Sequence, residues 1–158
     1  MRRLQRILSG GQTGVDRAAL DAAREAGLAL GGWCPHGRRA EDGAIDPAYP
    51  LTETDSPLPL ERTRLNVRDS DGTLILVRRR TGRGTRATLR FARAMPRPCL
   101  RLVIEGGAAD RAALVRARRW IARYRIATLN IAGPRKSIDP GIYAAARAFL
   151  RRLFAEPG

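Results

Sequence analysis

The sequence predicts an open α/β fold, a mostly parallel sheet of about five or more strands with helices on both faces. Three observations carry that expectation. Short apolar runs alternate along the chain with segments whose apolar residues recur at helical spacing. One run, Thr73-Leu74-Ile75-Leu76-Val77, is almost continuously apolar, as the centre of a parallel sheet requires. Polar, glycine-containing loops follow strands one, two, three and five, all on the edge where such sheets gather ligands.

The first apolar run, Ile7-Leu8, ends at Ser9 and opens into Gly10-Gly11-Gln12-Thr13-Gly14. A helix follows through Ala18, Ala19, Leu20, Ala22 and Ala23 to about Ala26, with Gly27 as its natural stop. Leu28 to Trp33 is the second strand. From Ile45 to Pro59 the chain is proline-rich without a period, a long irregular excursion of the kind that tends to serve function. Leu60 to Asp69 reads as a helix, Ser70-Asp71-Gly72 as a turn and Thr73 to Val77 as the third strand. Arg78 to Gly84 is a basic loop, Thr85 to Ala94 a helix, and Met95-Pro96-Arg97-Pro98 its stop. Cys99 to Ile104 is the fourth strand. Ala108 to Tyr124 is an amphipathic helix with Leu114, Ala117, Trp120 and Ile121 on one face. Thr128 to Ala132 is the fifth strand, Gly133 to Ser137 a loop, and Pro140 to Phe154 the last helix.

At 158 residues and 44% apolar, residues 1–158 are expected to form one domain. Aromatic residues make up only 5%, so the core must be aliphatic. No apolar stretch is long enough for a signal peptide or a membrane span, and a cytoplasmic location without membrane association is expected. Cys34 and Cys99 form no CxxC pair and suggest neither a disulfide framework nor a zinc knuckle. The net charge of +15 would ordinarily suggest nucleic acid. Yet almost every basic residue is arginine, Lys136 is the only lysine, and the arginines are scattered over helices without interleaved aromatics. That pattern fits a solvated basic surface, whose field should still attract small anions. Nucleic acid is not the partner we expect.

Four loops carry candidate chemistry. In Ser9 to Arg17, glycines let a ligand approach the backbone, and the following helix N-terminus favours an anion. Gln12 and Thr13 add side-chain donors, and Asp16 and Arg17 lie in the first turn. The loop lacks both the Lys-Ser/Thr ending of a P-loop and the spacing of a dinucleotide fingerprint. The second loop holds Cys34, Pro35, His36, Arg38 and Arg39. Its arginine pair suits oxyanions through forked donors, or is ordinary surface charge. Cys34 is either a ligand contact or a small buried thiol. The third group is Arg62, Asn66, Asp69, Ser70 and Asp71, one helix face running into a turn. It reads equally as a base- or sugar-binding edge and as capping chemistry. The fourth, Thr81-Gly82-Arg83-Gly84-Thr85, is a second anion-binding turn by the same logic, and Arg135, Lys136 and Ser137 precede the last helix. No Ser-His-Asp set is visible. Asp16, Glu41 and Asp42 are carboxylates available for acid, base or Mg²⁺ work, and none is singled out. The pattern argues for binding more strongly than for catalysis.

The motifs together resemble the family named putative molybdenum carrier proteins. Ser9 through Asp21, Gly31-Gly32-Trp33-Cys34-Pro35 and Gly37 through Gly43 carry the likeness. So do Tyr49-Pro50-Leu51, Glu53-Thr54, Arg62-Thr63, Asn66-Val67, Asp69 through Thr73, Asn130 and Ala132-Gly133-Pro134-Arg135. The resemblance implies a Rossmann-like fold, akin to nucleotide-binding proteins related to lysine-decarboxylase-like phosphoribohydrolases. It implies binding of molybdenum cofactor, a phosphorylated pterin with a metal-bearing dithiolene, or of molybdate, with a nucleotide as the alternative. It also implies a homo-oligomer, dimer or tetramer, and molybdoenzymes as partners. One departure stands out: where the family usually has two adjacent glycines before the threonine of the fourth loop, Arg83 replaces the first, leaving Gly84-Thr85.

The first reading is therefore a non-catalytic carrier holding such a ligand at the sheet's carboxyl edge. Gly10 to Gly14 and Gly82 to Thr85 would cradle phosphate or oxometal oxygens, with Arg38, Arg39 and Arg135 offsetting charge. Asn66 and Ser70 would read the pterin or base edge, and Asp16, Arg17, Cys34, Pro35, Arg62 and Ser137 complete the set. The alternative is a phosphoribohydrolase-like enzyme acting on nucleoside monophosphates, with Asp16 or Glu41 activating water. A basic nucleic-acid binder ranks third, and would show affinity falling steeply with salt.

Overall fold

Buried aliphatic runs and helical alanine stripes lay down alternating strands and helices over the described residues, 3–78 and 82–155 of a computed structural model. In chain order the elements begin with β1 (Arg6–Leu8), α1 (Val15–Glu25), β2 (Ala29–Gly31), β3 (Trp33–Cys34), β4 (Arg39–Ala40), β5 (Gly43–Ala44) and β6 (Thr52–Glu53). They continue with α2 (Pro59–Arg68), β7 (Gly72–Val77), α3 (Arg83–Ala94), β8 (Cys99–Val103), α4 (Arg111–Arg123), β9 (Thr128–Ala132) and α5 (Ile142–Phe154). The main sheet has the order β2-β1-β9-β7-β8, and every neighbouring pair is parallel.

The register follows from apolar residues facing one another across strands: Ile7 lies opposite Leu30 and Leu129, and Leu74 opposite Leu100 and Ile131. All six residues of β7 are buried, as a strand covered on both faces demands. Leu74 and Leu76 face one core, built with Ile7, Leu102, Ile131, Phe149 and the alanines of α1. Those alanines (Ala18, Ala19, Ala22 and Ala23) have no side-chain bulk to hold α5 away, and α1 packs along it. α4 also packs on α5, while α2 packs on α3. Asp71, at the turn before β7, accepts the backbone N–H groups of Ala127 and Thr128 at 3.0 and 2.9 Å. That carboxylate fixes where β9 enters the sheet.

Several expected boundaries move. The predicted strand Leu28 to Trp33 is two strands in different sheets, since β3 leaves the main sheet to pair in parallel with β6. The break is at Gly32, whose φ of +129° is open to glycine and strained for an L side chain. A Cβ there would lie 2.2 Å from the Ser9 carbonyl oxygen. The proline-rich excursion contains β6, and β4 and β5 form an unpredicted antiparallel hairpin before it. α3 starts at Arg83 instead of Thr85, Gly72 belongs to its strand, and residues 108–110 form a 3₁₀ turn ahead of α4. Among the described residues no helix is long and apolar enough to cross a membrane.

Candidate functional site

Connections leave β1 toward β2 and β7 toward β8, so the carboxyl ends of β1, β9 and β7 flank the point where the chain diverges. Open α/β sheets place ligands at such a point. The Gly-rich turn stands there and is tightly organised from within. Ser9 donates its hydroxyl to the Asp16 carbonyl at 2.8 Å, and Asp16 accepts the Gln12 N–H at 3.1 Å. Gln12 in turn accepts the N–H groups of Thr13 and Glu41 at 3.0 and 2.9 Å. Arg17 donates to the Gly11 carbonyl and holds Asp42 at 2.8 Å. Gly14 caps α1, whose first N–H, that of Val15, meets the Pro134 carbonyl at 3.2 Å.

Arg62 reaches across from α2 and lies against this turn. Its Nη1 sits 3.3 Å from an Asp16 carboxylate oxygen, and a Cβ on Gly10 would fall only 1.9 Å from that nitrogen. The bare Gly10 backbone is what admits the guanidinium. Burial pushes the Asp16 carboxyl above its ordinary range, against the opposing pull of Arg62. The Nε of Arg62 is buried and has no partner among the described residues.

A cleft of about 230 Å³ opens beside this pair, lined by Gly10, Gln12, Pro35, Arg39, Ala40, Glu41, Pro57, Pro59, Arg62 and Arg135. It unites the Gly-rich turn, the second loop, the start of α2 and the loop after β9. Three guanidinium side chains and three proline rings share its wall. Thr13 and Ser137 stand at one side, both bonded to Glu41, whose carboxyl is held below its usual range. Desolvation works against that shift, but the hydrogen bonds from Ser137 and Thr13 outweigh it.

Other predicted residues lie elsewhere or are differently employed. The Arg38 guanidinium donates to the carbonyls of Ile45, Asp46, Tyr49 and Leu51 and staples the excursion. Cys34 is fully buried among Leu20, Ile45 and Leu51, and burial pushes its thiol up. That burial matches the small buried thiol of the two readings. Asn66 spends both ends of its amide on Trp33, accepting its N–H at 2.7 Å and donating to its carbonyl at 3.0 Å. Ser70 donates to the Val67 carbonyl at 3.0 Å, and Asp69 accepts the Trp33 indole N–H at 2.8 Å. The third group thus resolves into capping and strand-positioning chemistry, except for Arg62. Neither Asp16 nor Glu41 stands as an unengaged base. Gly82 caps α3, Gly84 has open space around it, and the buried Thr85 hydroxyl has no partner among the described residues. Thr81 lies outside the described residues. Among the described residues no group of three or more His, Cys, Asp or Glu side chains is placed to hold a metal ion.

Sequence reasoning missed Pro57 and Pro59 as cleft walls and Glu41 as a bridge between loops. Their signals were the proline-rich stretch itself and a carboxylate in a loop of arginines.

The comparisons with known proteins agree with this architecture. The crystal structure of a protein from Syntrophus aciditrophicus SB, named "putative molybdenum carrier protein", superposes with a TM-score of 0.89 at 40% sequence identity, covering 96% of each chain. No match is found among curated proteins. The model of the circularly permutated YpsA SLOG family matches residues 7–154, from within the first strand of the sheet to the end of α5. The chain belongs to the circularly permutated YpsA SLOG family.

Proposed function

We propose that this protein is a carrier for a small anionic ligand, molybdenum cofactor or a similar phosphorylated pterin or nucleotide, held in the cleft at the carboxyl edge of the sheet. The observation that carries the proposal is the composition of that cleft. Arg39, Arg62 and Arg135 line a space that is also walled by Gly10 and three prolines. Forked cations suit phosphate or oxometal oxygens, and flat proline faces suit a planar ring. The likeness to a structure named putative molybdenum carrier protein supports the choice of ligand class.

The donor set fits such a cofactor. At about 230 Å³ the cleft is smaller than the roughly 300–1,000 Å³ pockets that enclose drug-sized ligands. It takes the anionic group and one ring face and leaves the remainder accessible, as suits a ligand that must be handed on. Arg39 and Arg135 would hold the charge and Arg62 the base of the site, while the cofactor itself supplies the redox-active metal to whatever enzyme receives it.

The test is the content of protein purified without oxygen and then denatured. A fluorescent oxidised pterin with stoichiometric molybdenum, lost in Arg39→Ala, is the expected result. A nucleotide in its place would refute the cofactor as the ligand, and release of free base from added nucleoside monophosphates would refute the carrier and favour the hydrolase.

A further inference from the structure

Glu41 sits in the turn of the β4–β5 hairpin and reaches into donors supplied by two other loops. One carboxylate oxygen accepts the Thr13 hydroxyl and the Ser137 N–H, the latter at 3.0 Å. The other accepts the Ser137 hydroxyl at 2.6 Å, with Arg135 Nε at 3.6 Å. The Thr13 hydroxyl is itself positioned by the Lys136 N–H at 3.1 Å. Two hydroxyls, a backbone N–H and a guanidinium pointed at one small volume are the donor inventory of an oxyanion site. They stand at the carboxyl ends of β1 and β9, adjacent strands of the sheet, and Glu41 and Arg135 also line the cleft.

The group now in that inventory is the protein's own carboxylate, carried on a short hairpin whose turn is also tied to the first loop, by Gln12 accepting the Glu41 N–H at 2.9 Å and by Arg17 on Asp42 at 2.8 Å. The hairpin has two residues in each strand, and all but Ala40 of the residues from Arg39 to Ala44 are exposed. A carboxylate brings one negative charge and two oxygens. A tetrahedral oxyanion brings up to two charges and more acceptors, and the net charge of +15 raises its local concentration. We propose that Thr13, Arg135 and Ser137 form an oxyanion subsite that Glu41 fills in the unliganded protein, and that a phosphate group or a free molybdate-like oxyanion displaces Glu41 on binding. The Glu41 side chain then turns out of the subsite while its backbone stays on Gln12, so that occupation of the subsite opens the cleft beside it. The inference rests on the proposed function only in placing this subsite next to the ligand cleft.

Inorganic phosphate, molybdate and a nucleoside monophosphate would be titrated by calorimetry into wild type, Glu41→Ala, Glu41→Gln and the double variant Glu41→Ala/Ser137→Ala. Glu41→Ala should bind inorganic phosphate at least tenfold more tightly than wild type, and Ser137→Ala should abolish the gain. Glu41→Gln keeps the shape and an acceptor but loses the charge. It should also gain affinity, and it decides the matter if Glu41→Ala does not fold. A preference for the monophosphate over both free ions identifies an esterified phosphate as the source, and the reverse a free oxyanion. Unchanged or weaker phosphate binding in Glu41→Gln, or a gain that survives Ser137→Ala, would overturn the subsite. A gain for phosphate in protein that carries neither pterin nor nucleotide would defeat the carrier alone, whereas bound pterin with no gain would defeat the subsite alone.

Discussion

Arg38 and Arg39 are identical neighbours in the sequence, and the structure gives them opposite consequences when removed. The Arg38 guanidinium donates to carbonyls at 3.2 Å (Ile45), 3.2 Å (Leu51), 2.9 Å (Asp46) and 2.9 Å (Tyr49). Three of these bonds are partly buried, and the Asp46 carbonyl is exposed and can return to water. At about 1 kcal/mol for each partly buried bond, Arg38→Ala should lower stability by about 3 kcal/mol. That is a large part of the roughly 5–15 kcal/mol typical of a folded protein. The backbone makes a finer prediction. Arg38 has a φ of +53°, in the left-handed region that costs a residue with a Cβ about 1 kcal/mol. Arg38→Gly should therefore lose less than Arg38→Ala, about 2 kcal/mol. Arg39→Ala, at the exposed rim, should stay within about 0.5 kcal/mol of wild type while weakening ligand binding. Urea denaturation followed by circular dichroism measures all three, and amide exchange should show residues 45–51 opening only in the Arg38 variants. An Arg38→Ala protein within 1 kcal/mol of wild type, or an Arg39→Ala protein equally destabilised, would refute the assignment.

Two other outcomes follow from single contacts. Gly32→Ala forces a Cβ to within 2.2 Å of one Ser9 backbone atom and 2.7 Å of another, at a φ of +129°. Backbone strain and overpacking of about 1–3 kcal/mol each should add to a loss of about 3–5 kcal/mol, read as a large fall in melting temperature. A melting temperature equal to wild type would contradict it. Asp21 accepts both the Tyr49 hydroxyl, at 2.7 Å, and the Tyr143 hydroxyl. Burial first and this shared carboxylate second push both phenols up to about 12. Asp21→Asn should move two of the three tyrosine titrations downward in ultraviolet absorbance, though not fully to 10, because burial persists. Titrations that stay in place would show burial acting alone.

The parts of the fold visible in the sequence are those set by local pattern. The apolar run at Leu74 to Val77 and the alanine stripe of α1 depend on neighbours a few residues away, and both came out as read. What escaped depends on partners far along the chain. Gly32 ends β2 because Ser9 and Asn66 crowd it, a meeting that no window of sequence contains. The hairpin of β4 and β5 is too short to show a period. The loops that line the cleft lie among those the sequence singled out, because strand order places their ends together, but the loop that opens α3 does not line it. The division of labour inside each loop was not legible. Asn66 looks like a reader of bases until its amide is found paired with Trp33, and nothing in the letters separates a stapling arginine from a rim arginine.

The order of strands also sets when the sheet can close during synthesis. β1 with β2 makes one ribbon and β7 with β8 another, and the only strand between them is β9. Until Thr128–Ala132 leaves the ribosome, the two ribbons share no hydrogen bond across the sheet's middle, and α1 lacks α5 to cover its alanines. The nascent chain thus holds four-fifths of its length in two halves with exposed inner edges, and the cleft, which needs Arg135, is completed only after β9 has joined them.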